Sequence, residues 1–235
     1  MLKKLLSLFH SKPAKPEPKI TPKETQAKKP AKPKVAPTRI GELGEHKISI
    51  QLDQLSKQYQ HLNDLLIPNP KARSGYSQID HLLITPYAIF VIETKNYNGE
   101  IKGTREDRNW SVSNRFKMYN PLMQNYGHIK AVEQLLNDYP NVRYISMISF
   151  TMRCRFSIDP ELRKIGSDEL IVYDVELTEF IERKLARLKA ENPSPRFTDE
   201  EVRAIKAKIA SVNITDPAIR TQHIEKSKIV KSTSK

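Results

Sequence analysis

Residues 78–95 read Gln-Ile-Asp-His-Leu-Leu-Ile-Thr-Pro-Tyr-Ala-Ile-Phe-Val-Ile-Glu-Thr-Lys, two apolar stretches separated by Thr85-Pro86. The second contains Ile89-Phe90-Val91-Ile92, apolar on both faces, which is the pattern of a central strand covered by helices. Few folds accept such a strand with charges at its end. Side chains alternate along a strand, so Glu93 and Lys95 point one way while Ile92 and Thr94 point the other. Charges so placed are costly to desolvate unless paired or metal-bound. If the two stretches pair through the turn at Thr85-Pro86, Asp80 joins Glu93 and Lys95.

Two carboxylates and a lysine suit metal-assisted phosphodiester hydrolysis. Asp80 and Glu93 would hold a hard cation such as magnesium, which binds at about 2.0–2.1 Å and keeps several waters. The ion polarises a phosphoryl oxygen and acidifies bound water, while Lys95 orients that water or balances developing negative charge. The same spacing equally fits a strand-end ion pair of Lys95 with Glu93 or Asp80. Spacing does not choose between them.

The neighbouring segments supply helices. Ile48, Leu52, Leu55 and Tyr59 predict a helix over about 43–59 with one buried stripe. Glu45 extends that stripe toward the helix start, either as a further metal or water ligand or as a charge complementing the helix dipole, the second being worth roughly 0.3–1 kcal/mol. The residues themselves favour the dipole reading. Asn120 as N-cap and Pro121 at the first position announce another helix, whose apolar face is Leu122, Ile129, Val132 and Leu136. Gln124 and His128 sit one turn apart at the edge of that face. His128 reads first as a hydrogen-bonded structural residue, and alternation turns His81 away from Asp80. Asn98-Gly99 predicts a tight hairpin, with a second hairpin closing around 105–109 before Trp110. Further strands are expected near 142–150 and 170–173. Helices follow over 177–188 and after Thr198, where Thr198 and Glu201 form a capping box. These helices should cover the sheet.

Gly41-Glu42-Leu43-Gly44-Glu45, Gln78-Ile79-Asp80-His81, Ile92-Glu93-Thr94-Lys95-Asn96-Tyr97, Gly99-Glu100-Ile101-Lys102-Gly103, Trp110, Asn120-Pro121, Gln124 and His128 occur in one order. Together they resemble the nuclease-related domain (NERD) family over roughly residues 40–150. That family is grouped with the PD-(D/E)xK nucleases, so the resemblance implies a restriction-endonuclease-like α/β fold with a mixed central sheet flanked by helices. Carried over by position, it implies a catalytic set of Asp80, Glu93, Lys95 and Glu45. Related nucleases often place a glutamine where Gln124 stands. The implied cofactor is Mg2+ or Mn2+ on Asp80 and Glu93, and the implied partner is nucleic acid, with DNA favoured. Ile79 stands where the superfamily name has proline, and Ala88 where glycine is frequent. Neither change removes a ligand.

Charge divides the chain into three. Ten lysines and Arg39 against Glu17 and Glu24 give residues 1–39 a charge of +9, and residues 220–235 carry +4, so the intervening residues are neutral overall within a total of +13. Residues 11–37 hold seven prolines and eight lysines with few large apolar side chains, too little to offset chain ordering. The expected organisation is a disordered Lys/Pro-rich tail over 1–38, a nuclease-like domain with a C-terminal helical extension over 39–219, and a disordered basic tail over 220–235. The tails would add salt-sensitive attraction to nucleic acid or an anionic membrane surface. Leu2, Leu5, Leu6 and Phe9 would share one face of any N-terminal helix, a weak membrane or partner contact. One cysteine, Cys154, excludes an internal disulfide and a multi-cysteine zinc site. With no run of about 20 apolar residues, a cytoplasmic location is expected. The seven glycines form neither a phosphate loop nor a dinucleotide fingerprint, and no nucleophile elbow is present. The rival reading is a nucleic-acid-binding or interaction module that keeps the fold without catalysis.

Overall fold

The computed structural model describes residues 37–232. The tail and the apolar face of Leu2, Leu5, Leu6 and Phe9 expected above lie outside the described residues, apart from the first two residues of helix α1 (Pro37–Asp53).

The pattern at 78–95 forms as the sequence dictates. Strands β2 (Tyr76–Ile84) and β3 (Ile89–Lys95) pair antiparallel, with Leu82 opposite Val91 and His81 opposite Ile92. Thr85 closes the turn twice, since its N–H donates to the Ala88 carbonyl at 3.0 Å and its hydroxyl to the same oxygen at 2.7 Å. Strand β1 (Gln60–Pro68) pairs with β2, while β7 (Tyr144–Phe150) and β9 (Glu169–Tyr173) continue the sheet in parallel beyond β3. Strand β3 is therefore the centre of a five-stranded mixed sheet, and all four residues of its apolar run are fully buried.

Alternation on β3 sorts the core into two layers. Phe90 and Ile92 pack with Ile48 and Leu52 of α1 and with Leu177, Ile181 and Leu185 of α3 (Leu177–Glu191). Ile89 and Val91 face Ile129 and Val132 of α2 (Pro121–Leu135) and Val202 and Ile205 of α4 (Asp199–Ser211). The predicted N-cap of α2 and capping box of α4 are both formed. Helices thus cover the sheet, and they belong to the same core.

Three expectations need correction. The helix read over 43–59 runs from Pro37 to Asp53, where i→i−3 bonds from Gln54 and Leu55 tighten and end it; Leu55 and Tyr59 pack on the core from the following turn. Glu45 therefore lies mid-helix, which removes the dipole reading. Asn98-Gly99 makes no hairpin: at φ +99° Gly99 turns the chain into a second sheet of order β6-β5-β4-β8, comprising β4 (Gly99–Gly103), β5 (Asn109–Val112), β6 (Phe116–Tyr119) and β8 (Cys154–Ile158). A Cβ on Gly99 would lie 1.9 Å from Ser113 Oγ, so the bend needs glycine. Finally, residues 217–232 form helix α5 (Pro217–Ser232), where a tail was expected from 220. Arg220 anchors its first turn by donating to the Asp64 carboxylate and carbonyl at 2.6–3.0 Å.

Asn125 locks α2 onto the sheet. Its fully buried amide donates to the Val91 carbonyl of β3 and to Ser146 Oγ of β7, both at 2.8 Å. Replacing it leaves a buried carbonyl unpaired, a cost of roughly 1–3 kcal/mol. Asn125→Ala should lower the urea midpoint accordingly; an unchanged midpoint would refute this role.

Candidate active site

The site lies where β3 leaves its apolar run. Continuing the β2–β3 register one step past His81–Ile92 sets Asp80 across from Glu93, on the same side of the sheet. The Asp80 carboxylate accepts from the Thr94 N–H at 2.7 Å. That bond replaces the backbone ladder where the strands part, and it fixes the acid beside its neighbour.

Glu93 and Lys95 project toward α2, as alternation requires, and α2 returns Gln124 and His128 one turn apart. Lys95 Nζ donates to Glu93 Oε1 at 2.6 Å and to Gln124 Oε1 at 3.0 Å. Gln124 Nε2 donates to the same Glu93 oxygen at 2.7 Å, closing a three-membered ring of polar side chains. His128 Nε2 approaches Glu93 Oε2 to 3.4 Å, without the alignment of a hydrogen bond. Glu93 is buried and Lys95 nearly so.

Electrostatics divides these groups. Burial opposes ionisation of Glu93, but the adjacent Lys95 ammonium and then His128 overcome it and hold the carboxyl at about 2. Burial likewise works against the Lys95 cation, and Glu93 more than compensates, so the lysine stays an ammonium above its usual range. Asp80 goes the other way. Burial first and the Glu93 charge second raise it well above the ordinary carboxylate range, against the Thr94 bond.

Glu45 comes from α1, on the opposite side of the β3 end. Gly44 is buried there, within ordinary contact distance of Thr94 and Asn96 for an added Cβ, so the helix lies close on the strand. Lys47 binds Asp174 at 2.7 Å and ties the same helix to the far side of the sheet. The Glu45 carboxyl is raised by burial and by the negative charges of Asp64 and Glu93. Asp80, Glu93, Lys95 and Gln124 thus meet directly or across one strand pair, and Glu45 lies within their field.

His81 stays outside this group, buried against Asn63 Oδ1 at 2.8 Å. Arg153 and Arg155 are exposed at the rim, and Trp110 packs inside the second sheet. Sequence reasoning undervalued His128 and passed over Asp64, which influences Glu45 and holds φ +49° in β1. The available signal for Asp64 was the polar pair Asn63-Asp64 set between Leu62 and the apolar run Leu65-Leu66-Ile67.

Among the described residues no group of three or more His, Cys, Asp or Glu is arranged to hold a metal ion. The donor set still fits a hard cation that retains water, because magnesium sites commonly use one or two carboxylates with waters and substrate oxygens. Glu93 Oε2 is buried and makes no hydrogen bond, with the His128 ring 3.4 Å away, and the neighbouring Asp80 carboxyl is raised by burial and by the Glu93 charge. A divalent ion at Asp80 and Glu93 would answer both conditions. The set does not fit a structural zinc site.

The end of the central strand thus gathers Glu93 and Lys95 from β3, Asp80 from β2 and Gln124 from α2. Residues 40–151 match the family described as nuclease-related domain. The match spans α1 to β7 and includes all five residues named above. The chain is also similar to an uncharacterized protein of Bacillus anthracis, 29% identical over 196 residues that cover 82% of this chain and 85% of that protein.

The raised Asp80 sets a pH dependence. A carboxyl whose folded value exceeds its unfolded value of about 3.9 favours folding at low pH, and that contribution is lost as pH rises through the folded value. In chelator, Asp80→Asn should therefore melt several degrees above wild type near pH 8, the gap closing toward pH 4. A gap that does not change with pH would show that Asp80 ionises without cost.

Proposed function

We propose that this protein is a metal-dependent nuclease that hydrolyses nucleic-acid phosphodiester bonds, DNA favoured, with Mg2+ or Mn2+. The observation that carries the reading is the Lys95 ammonium held between Glu93 and Gln124 beside Asp80. Asp80 and Glu93 are the residues that would hold the ion, and the bound ion supplies polarisation of the phosphoryl group and acidification of water.

Lys95 is cationic at neutral pH, so it is no general base. Its role is to donate to the attacking water or to the phosphoryl oxygens as negative charge builds, a contribution made from a fixed position. Gln124 keeps that position, because it accepts from Lys95 while donating to Glu93. Glu45, raised by burial, takes part from the α1 side by hydrogen bonding water. Entry of an ion at Asp80 and Glu93 would favour the ionised form of Asp80 and release part of the hold that Glu93 has on Lys95.

A second reading rests on the same lysine. Its 2.6 Å bond to Glu93, with no three-ligand cluster among the described residues, also fits a non-catalytic nucleic-acid-binding module in which the pair is structural. Among the described residues no helix is long and apolar enough to cross a membrane. A cytoplasmic site of action accords with a nucleic-acid substrate, and the basic segment 1–38 would strengthen attraction to it at low salt.

Purified protein incubated with labelled single- and double-stranded DNA and RNA should cleave only with a divalent ion. Lys95→Ala and Glu93→Gln should each slow cleavage by about two to three orders of magnitude while retaining binding measured by anisotropy. Metal-independent cleavage, or full activity in Lys95→Ala, defeats the nuclease reading; binding without cleavage of any substrate supports the second.

A further inference from the structure

The sequence of the second sheet is absorbed by neither the catalytic group nor the main core. Its strand β6 carries Phe116, an aromatic ring 51% exposed at the sheet's edge. The ring is placed with unusual firmness. Ser113 and Asn114 both adopt left-handed backbone, at φ +51° and +54°, and the Arg115 N–H donates to the Val112 carbonyl at 3.0 Å. Since Val112 pairs with Phe116, residues 113–115 make the connection, with a primed β-turn at Ser113-Asn114 built without glycine at a cost in backbone strain. Two bonds clamp the turn to the start of β4: Ser113 N–H to the Glu100 carbonyl at 2.7 Å, and Glu100 N–H to Ser113 Oγ at 3.0 Å.

The clamp sets Phe116 against Tyr97, with ring centroids 5.8 Å apart and planes tilted by 45°. Tyr97 follows Lys95 by two residues, so this aromatic pair borders the proposed reaction centre. The surrounding charge favours a polyanion. Arg115 precedes Phe116 and is exposed, and Arg153 reaches Asn96, between Lys95 and Tyr97, at 3.5 Å. Neither arginine makes an ion pair among the described residues. A half-exposed ring backed by a partly buried one, beside cations, is how sequence-tolerant binding of single strands is achieved, since every base offers a π-face for stacking. A base inside a duplex has no free face to offer.

We propose that Tyr97 and Phe116 form a stacking subsite for one unpaired base of a single-stranded nucleic acid, adjacent to the Lys95 centre. The proposal deepens the nuclease reading by naming the substrate class, and it rests on that reading only for the position of the scissile phosphate.

The test measures binding without cleavage. Fluorescence anisotropy in chelator compares a labelled 20-nucleotide oligothymidylate, the same strand carrying abasic positions, and a duplex of equal length. Wild type should bind the single strand more tightly than the duplex. Phe116→Ala should weaken single-strand binding roughly 5- to 150-fold, the range set by stacking of one base, leave the duplex unchanged, and add no further loss on the abasic strand. Phe116→Trp should restore affinity. Tyr119→Ala is the control: Tyr119 is 50% exposed on the same strand, but alternation turns it to the other face, so binding should not change. Equal weakening for single strand and duplex, no loss in Phe116→Ala, or a preference for duplex overturns the subsite. Phe116-dependent binding without cleavage on adding metal would defeat the nuclease reading and leave this one standing. Metal-dependent cleavage indifferent to Phe116 would do the reverse.

Discussion

A single buried ammonium organises the site. Lys95 sits at the end of a strand that opens with four apolar residues, and a lone cation there would shift its pKa or draw the strand into water. Glu93, two residues earlier on the same face, prevents this by direct contact, and Gln124 from α2 satisfies the second donor. The position of α2 is thereby constrained twice, once by Asn125 bound to the strand backbone and once by Gln124 bound to the charged pair. The helix cannot slide without breaking a buried polar contact. Its N-cap and proline are therefore part of how the site is built.

The pairing leaves an imbalance. One lysine neutralises one of two neighbouring carboxylates, and the second, Asp80, is raised well above the ordinary carboxylate range by burial and by its neighbour. Such a site stores electrostatic cost until something positive arrives, and pairs of acids pushed apart in pKa are frequent where protons or cations are handled. Glu93 Oε2 is buried and makes no hydrogen bond, with the His128 ring 3.4 Å away.

Much of this was legible. The period-2 alternation and the apolar run at 89–92 placed Glu93 and Lys95 on one face of a central strand, and the Thr85-Pro86 turn brought Asp80 alongside. Asn120-Pro121 and Thr198-Glu201 marked helix starts that formed as read, because capping is chemistry between residues a few positions apart. The failures were of another kind. Asn98-Gly99 has the composition of a hairpin, but Gly99 spends its left-handed freedom on leaving one sheet for another, a choice made by the partner strands β5 and β8. The helicity of 220–232 was missed because a contact distant in sequence supports it, Arg220 against Asp64.

By itself the sequence determined the strand at the centre, the face its charges share and the helices that begin at capped positions, since each follows from side-chain spacing and local hydrogen bonds. Only the tertiary structure decided that Asp80 bears a suppressed charge, that His128 and Asp64 lie within the site's field, and that Phe116 comes to rest against Tyr97. Burial and electrostatic fields are set by what packs around a group in three dimensions, and no local pattern along the chain encodes them.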